Sequence, residues 1–176
     1  TGRPETIDWD EPEKVARSIK LMNIKHAVIT SVDRDDLKDM GSILWAETVK
    51  SIRRMNPNIT LETLIPDFQD NTTNIDRILA VHPEVISHNM ETVKRLSREV
   101  RIQAKYERSL EVLNYLKKQG AKRTKSGIML GLGETEEEFV LRTQYGDAVI
   151  QKRDISSMKR YYGGVLDRQT ENKKQF

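Results

Sequence analysis

The chain has 176 residues, 36% hydrophobic and 32% charged, with no apolar run near the ~20 residues of a membrane span. It therefore reads as one polar globular domain with enough length for a core. It contains no cysteine, which excludes disulfides, a thiolate metal site and a cysteine nucleophile within it. The net charge of +3 is uneven: residues 139–176 hold 8 Lys/Arg against 4 Asp/Glu, and residues 1–138 hold 22 against 23. The body carries no basic-aromatic stripe of the kind that binds nucleic acid.

Thr1-Gly2-Arg3-Pro4 is loop chemistry, and the helix that follows has no strand before it, which implies one upstream. That helix starts at Asp10-Glu11-Pro12-Glu13, with Asp10 suited to the N-cap, Pro12 to the first turn and Glu13 at capping-box spacing. Val15, Ile19 and Met22 form one apolar stripe, and Asn23 ends the helix. Lys25–Val32 follows as a strand whose continuous run Ala27-Val28-Ile29 fits burial on both faces of a parallel sheet. It ends in Asp33-Arg34-Asp35-Asp36. A charge run is commonly a solvated surface, but the C-terminal ends of parallel strands are where α/β folds build their sites.

The unit then repeats. Trp45, Val49 and Ile52 give a helical stripe stopped by Asn56-Pro57-Asn58, and Ile59–Ile65 is a strand ending at Pro66-Asp67. Ile75, Ile78 and Leu79 mark a helix closed near Pro83, and Val85-Ile86 is a short strand ending in Ser87-His88-Asn89-Met90-Glu91. Val93, Leu96 and Val100 mark a further helix. Leu110, Val112, Leu113 and Leu116 mark another, with Gly120 as its C-cap. Arg123–Glu138 reads as strand, glycine turn at Gly131-Leu132-Gly133, and a new helix start, with Thr135 and Glu138 at capping-box spacing. Such a turn exposes backbone N–H groups to a flat ligand, or is a plain strand-to-helix connection. The alternation implies right-handed βαβ crossovers and an α/β fold with a parallel sheet of four visible strands. The tail from Phe139 differs: glycines interrupt it, helical pattern is weak, and its last ten residues read as disordered.

Six segments carry a resemblance. Thr1–Pro4, Val28–Leu37, Leu64–Phe68, His88–Thr92, Tyr106–Leu110 and Thr124–Thr135 are similar, in order and spacing, to lipoyl synthase, over residues 1 to about 138. The resemblance implies a radical S-adenosylmethionine enzyme with a partial (β/α) barrel, truncated here at both ends. It implies insertion of two sulfur atoms at C6 and C8 of a protein-bound octanoyl group. One iron–sulfur cluster would cleave S-adenosylmethionine to a 5′-deoxyadenosyl radical, and a second would be consumed as sulfur source. Its partners would be octanoylated lipoyl carrier domains or the glycine-cleavage H protein, with iron–sulfur supply and electron donor proteins. Nucleic acid and membrane are not expected as partners, and the setting is expected to be cytoplasmic.

Two departures stand out. The family holds its two 4Fe-4S clusters with two three-cysteine motifs upstream of the Thr-Gly-Arg-Pro segment, and this chain has none. From Phe139 the residues no longer resemble the family, so residues 139–176 form a divergent tail and the chain is expected to be inactive alone.

The resemblance also implies site residues. Gly127, Gly131, Gly133 and Glu134 resemble the glycine motif that contacts adenine. Thr30 and Ser31 lie where the methionine amino group binds, and Asn89 and Glu91 where ribose contacts fall. Arg101 is a candidate for the methionine carboxylate, or an ordinary surface arginine. Asp33, Arg34, Asp36, Lys125 and Ser126 are pocket or supporting candidates. His88 reads as a satisfied buried histidine, and Met22, Met55 and Met129 as core. All strand-end segments should line one rim. Two other readings stay open: a different barrel enzyme using Lys125 as a catalytic lysine, and a non-enzymatic module that binds an acidic partner through its basic tail.

Overall fold

The computed structural model describes residues 5–101, 105–135 and 138. The expectations for Thr1–Pro4 and for the tail from Phe139 lie outside these residues.

Helix α1 spans Glu11–Met22, with Pro12 in its first turn and two acidic side chains near its positive end. Asp10 occupies the N-cap position but makes no side-chain cap. Asp8 stands in, its Oδ1 accepting from Asp10 N at 3.0 Å. Glu13 does not turn back to cap the helix either, because it pairs with Arg54 across the helix interface. Asn23, at φ +50°, closes the helix. The buried face is Pro12, Ala16 and Ile19, and Met22 stays 59% exposed. The stripe is thus rotated from the expected one, with Val15 at its flank and Met22 past its end.

Strand β1 (His26–Thr30) leads to α2 (Ser42–Met55), which buries Trp45, Val49 and Ile52 as their spacing requires. Each such side chain contributes about 1.5–3 kcal/mol through removal from water. Asn56 ties the end of α2 to α1 by donating to Ala16 O and Ile52 O. Strand β2 (Thr60–Leu64) then runs into a turn at Phe68–Asp70, and α3 (Thr72–Ala80) starts from an Asn71 side-chain cap. Strand β3 is Val85–Ser87. The helix expected around Val93–Val100 is a 3-10 turn, Lys94–Leu96, running into a single turn of helix, α4 (Ser97–Val100). Helix α5 (Tyr106–Lys118) follows, with Gly120 at φ +86° just beyond it. Its buried residues are Ser109, Val112 and Leu116, while Leu110 is 38% exposed.

Strand β4 is only Thr124–Lys125, with one further bridge between Glu91 and Ile128. The longer apolar strand expected here does not form. β3 ends at Ser87, so the ladder has nothing regular to continue on, and Gly127 O instead accepts from both Met90 N and Glu91 N. Met129 and Leu130 consequently remain exposed rather than joining the core.

All pairings are parallel, in the order β1-β2-β3-β4, so every strand ends on the same side. Two large clusters form most of the core among the described residues. Ala16, Ile19, Val49, Ile52 and Leu61 make one, and Trp45, Phe68, Ile75, Ile78, Val112 and Leu116 the other. Val93 with Leu96 makes a small third. The sheet's opposite face is less covered. Ala27 is buried but Val28 is 53% exposed, so β1 is not buried on both faces as its apolar run suggested. No helix among the described residues is long and apolar enough to cross a membrane.

Candidate functional site

A cleft of about 460 Å³ opens where β1, β2 and β3 end. Thr30, Ser31, Asp33 and Asp35 line it from β1, and Leu64 to Asp67 with Gln69 from β2. His88, Asn89 and Glu91 line it from β3, and Arg101 and Arg108 close it. Parallel topology explains the gathering: segments far apart in sequence leave the sheet side by side.

Each wall is held by the fold beneath it. Trp45 Nε1 donates to Ser31 Oγ at 3.0 Å and so fixes the β1 end to α2. After β2 the chain takes three consecutive left-handed φ values, at Phe68, Gln69 and Asp70. Non-glycine residues there cost on the order of 1–3 kcal/mol each unless the surroundings impose them. Here Phe68 is anchored in the core, and Asp67 Oδ1 accepts from Gln69 N at 2.9 Å. Arg108 bridges Asp67 Oδ2 at 3.3 Å and Asp70 Oδ2 at 3.1 Å. Burial opposes the Arg108 charge, but the two carboxylates outweigh it and raise its pKa.

After β3, His88 is 3% exposed with both ring nitrogens bonded, Nδ1 to Ile65 O at 2.9 Å and Nε2 to Ser109 Oγ at 2.8 Å. Burial, with Arg101 nearby, lowers its pKa and keeps the ring neutral. It is a satisfied buried histidine, and it also forms part of the cleft wall. Asp33 is exposed as a residue, but its carboxyl faces inward. Partial burial first, then Asp35 and Asp67, raise its pKa against the pull of Arg101.

Gly127 approaches the site from β4. A Cβ there would lie 2.7 Å from Asn89 Oδ1, so the amide occupies the space a side chain would need. Ser126 Oγ accepts from Met90 N at 3.3 Å and supports the same turn.

Of the residues singled out from sequence, Thr30, Ser31, Asp33, Asn89, Glu91 and Arg101 line the cleft. Gly127 and Ser126 stand behind it. Arg34 and Asp36 do not line it; they pair with each other at 2.8 Å. Lys125 is also elsewhere, its Nζ 3.0 Å from Oε1 of Glu62, which lies on the sheet and is 6% exposed. Ser87 Oγ donates to the same carboxylate at 2.7 Å. Burial works to raise the Glu62 pKa, but Ser87 and Lys125 lower it overall. The Lys125 amine is therefore paired with Glu62 on the sheet and does not line the cleft.

Gly131 and Gly133 lie outside the cleft, in the turn where their positive φ values, +93° and +107°, favour glycine. Glu134 Oε2 accepts from Leu132 N at 2.7 Å. The capping box is present: Thr135 N donates to Glu138 Oε2 at 2.8 Å and Glu138 N to Thr135 Oγ1 at 3.4 Å. Sequence reasoning missed Gln69, Arg108 and Ser109. Arg108 and Ser109 lie in the Tyr106–Leu110 segment, which was one available signal, and an arginine in the first turn of α5, at the wrong end of the helix dipole, was another.

An open, partial (β/α) barrel with its cleft at the strand ends defines the class. Residues 1–141 match the model of the Radical SAM superfamily, and the chain belongs to that superfamily of enzymes. Over 140 residues it is 86% identical to the mitochondrial lipoyl synthase of Nematostella vectensis and 82% identical to the lipoyl synthase of Christiangramia forsetii. Each match covers 80% of this chain and 48% of the relative, so the chain spans about half their length. The resemblance seen in the motifs thus extends along the whole body. Among solved structures, methylornithine synthase superposes with a TM-score of 0.63 at 14% identity, over 82% of this chain and 42% of that one. That likeness establishes the fold alone.

Proposed function

We propose that residues 1–138 form the S-adenosylmethionine-binding part of a lipoyl synthase, with residues 139–176 a divergent tail. The intact enzyme inserts two sulfur atoms at C6 and C8 of a protein-bound octanoyl group, in a cytoplasmic setting. The observation that carries this reading is the 86% identity to a lipoyl synthase over 140 residues.

The cleft's chemistry fits the cofactor. Asp33, Asp67 and Glu91 offer negative charge to a sulfonium and an ammonium, and Arg101 offers a guanidinium to a carboxylate. Asn89, backed by Gly127, offers an amide to ribose hydroxyls. When bound and reductively cleaved, S-adenosylmethionine supplies the radical that removes hydrogen from an unactivated carbon. This chain's residues bind and orient it. They do not fit an iron–sulfur cluster: the chain has no cysteine, and no group of three His, Asp or Glu that could hold a metal gathers among the described residues. Anaerobic reconstitution with iron and sulfide should therefore leave no stoichiometric cluster spectrum on this chain, and it should be inactive by itself.

The proposed substrates are octanoylated lipoyl carrier domains or the glycine-cleavage H protein, with iron–sulfur supply and electron donor proteins as further partners. Grafting residues 5–138 into the matching stretch of an intact lipoyl synthase tests this. Mass spectrometry should find lipoyl groups on an octanoylated carrier domain. Release of 5′-deoxyadenosine with the octanoyl group unchanged would overturn the substrate assignment.

A further inference from the structure

The guanidinium in the cleft is tethered on one side. Arg101 Nη1 donates to Asn89 O and to Ser109 Oγ, both at 3.2 Å, which occupies both Nη1 protons. Among the described residues no partner meets Nε or Nη2. That edge is the planar fork that takes a carboxylate with two parallel hydrogen bonds.

The tether runs on inward. Ser109 is fully buried and His88 nearly so. A carbonyl only accepts, so the 2.9 Å contact with Ile65 O puts the His88 proton on Nδ1. The neutral ring then has a bare Nε2, which accepts the Ser109 hydroxyl proton at 2.8 Å. Ser109 Oγ keeps its lone pairs for Arg101. The donors therefore run in one direction, from Arg101 to Ser109 to His88 to Ile65 O. The Ser109–His88 and His88–Ile65 links are buried away from bulk water, and the Arg101 links are half-buried at the cleft wall. The tether matters because Asp33 and Glu91 share the cleft and would repel a carboxylate that no fixed cation received, and the other guanidinium there, Arg108, is already held by Asp67 and Asp70.

We propose that His88 and Ser109 are positioning residues that hold the Nε–Nη2 edge of Arg101 open to the cleft, as the receptor for the carboxylate of an α-amino-acid-bearing ligand. This rests on the reading that the cleft binds S-adenosylmethionine, and it adds which buried groups set the receptor's geometry.

Calorimetric titration of the full chain with S-adenosylmethionine and with its decarboxylated analogue tests it, because the two probes differ only in the carboxylate. Wild-type protein should prefer the carboxylate form by at least about tenfold, the scale of hydrogen bonds to a charged group. Arg101→Gln should abolish the preference. Ser109→Ala should reduce it to within about threefold while leaving the affinity for the analogue unchanged. Equal loss for both probes would mark Ser109 as merely structural and overturn the proposal. Should Ser109→Ala fail to fold, Ser109→Cys, close in size and a weaker hydrogen-bonding group, should show an intermediate preference. An unchanged preference there would also overturn it. Binding of both probes without discrimination by the wild type would remove the receptor and leave the cofactor site standing. Binding of neither would remove both.

Discussion

Burial sets the behaviour of one residue, His88, and close contact that of another, Gly127. His88 is held neutral in the native state, while its ordinary pKa is 6.5, so below about that pH the unfolded chain binds a proton the folded one refuses. Stability should therefore fall as pH drops from 7 toward 5.5, by up to about 1.4 kcal/mol per pH unit from this group. Thermal melts across that range should show the slope, and His88→Gln should flatten it; an equal slope in both proteins would assign it elsewhere. Gly127 has no special φ, and its constraint is space: Asn89 Oδ1 sits where a Cβ would be. Gly127→Ala should force the amide aside at a cost of about 1 kcal/mol. With Asn89 contacting the cofactor as proposed, displacing its amide should weaken S-adenosylmethionine binding by about fivefold to tenfold. Calorimetry beside a melt separates the two effects, and unchanged affinity would show that Asn89 does not touch the cofactor.

Among the elements, α2 serves both large apolar clusters, Trp45 in one and Val49 and Ile52 in the other, and Trp45 also fixes the β1 end. Ile52 has no exposed surface and packs with Val49, Ile59 and Leu61. Ile52→Ala should cost about 2–5 kcal/mol in denaturant unfolding, as buried truncations of that size do. Leu21 on α1 has the same character in sequence but is 87% exposed, and Leu21→Ala should stay within about 0.5 kcal/mol. A similar loss for both would mean that α1 packs more deeply than described. The contrast shows why apolar spacing locates a helix but not the edges of its buried face. Met22 continues the i, i+4, i+7 pattern of Val15 and Ile19, yet it has passed the end of the surface that α1 covers.

Across the whole molecule, β1 forms one edge of the sheet and pairs only with β2 among the described residues. Val28 on it is 53% exposed, and Leu21, Met22, Ile24 and Val32 add exposed apolar surface nearby in sequence. An open strand edge with apolar side chains templates pairing with another copy. The chain should associate as its concentration rises, and Val28→Lys should reduce this by placing a charge on the edge. Sedimentation velocity at several concentrations would decide; a monomer throughout would contradict the reading.

The alternating units, the parallel sheet and the family were legible in the sequence, because periodicity and β-branched runs report local preference and the motifs stand in register. The capping box at Thr135 and Glu138 was legible for the same reason, since its two partners are three residues apart. Local pattern could not give the length of β4, because a strand persists only while its neighbour offers a ladder, and β3 stops at Ser87. It could not separate Asp33 from Arg34 and Asp36 either. All three follow β1, but only the fold decides which carboxyl turns into the cleft and which is taken up by an ion pair. The assembly of Arg101, Ser109, His88 and Ile65 lay furthest from the sequence. Its members sit up to 44 positions apart, and a directed chain of hydrogen bonds exists only once parallel strands and α5 have brought each within 3.2 Å of the next.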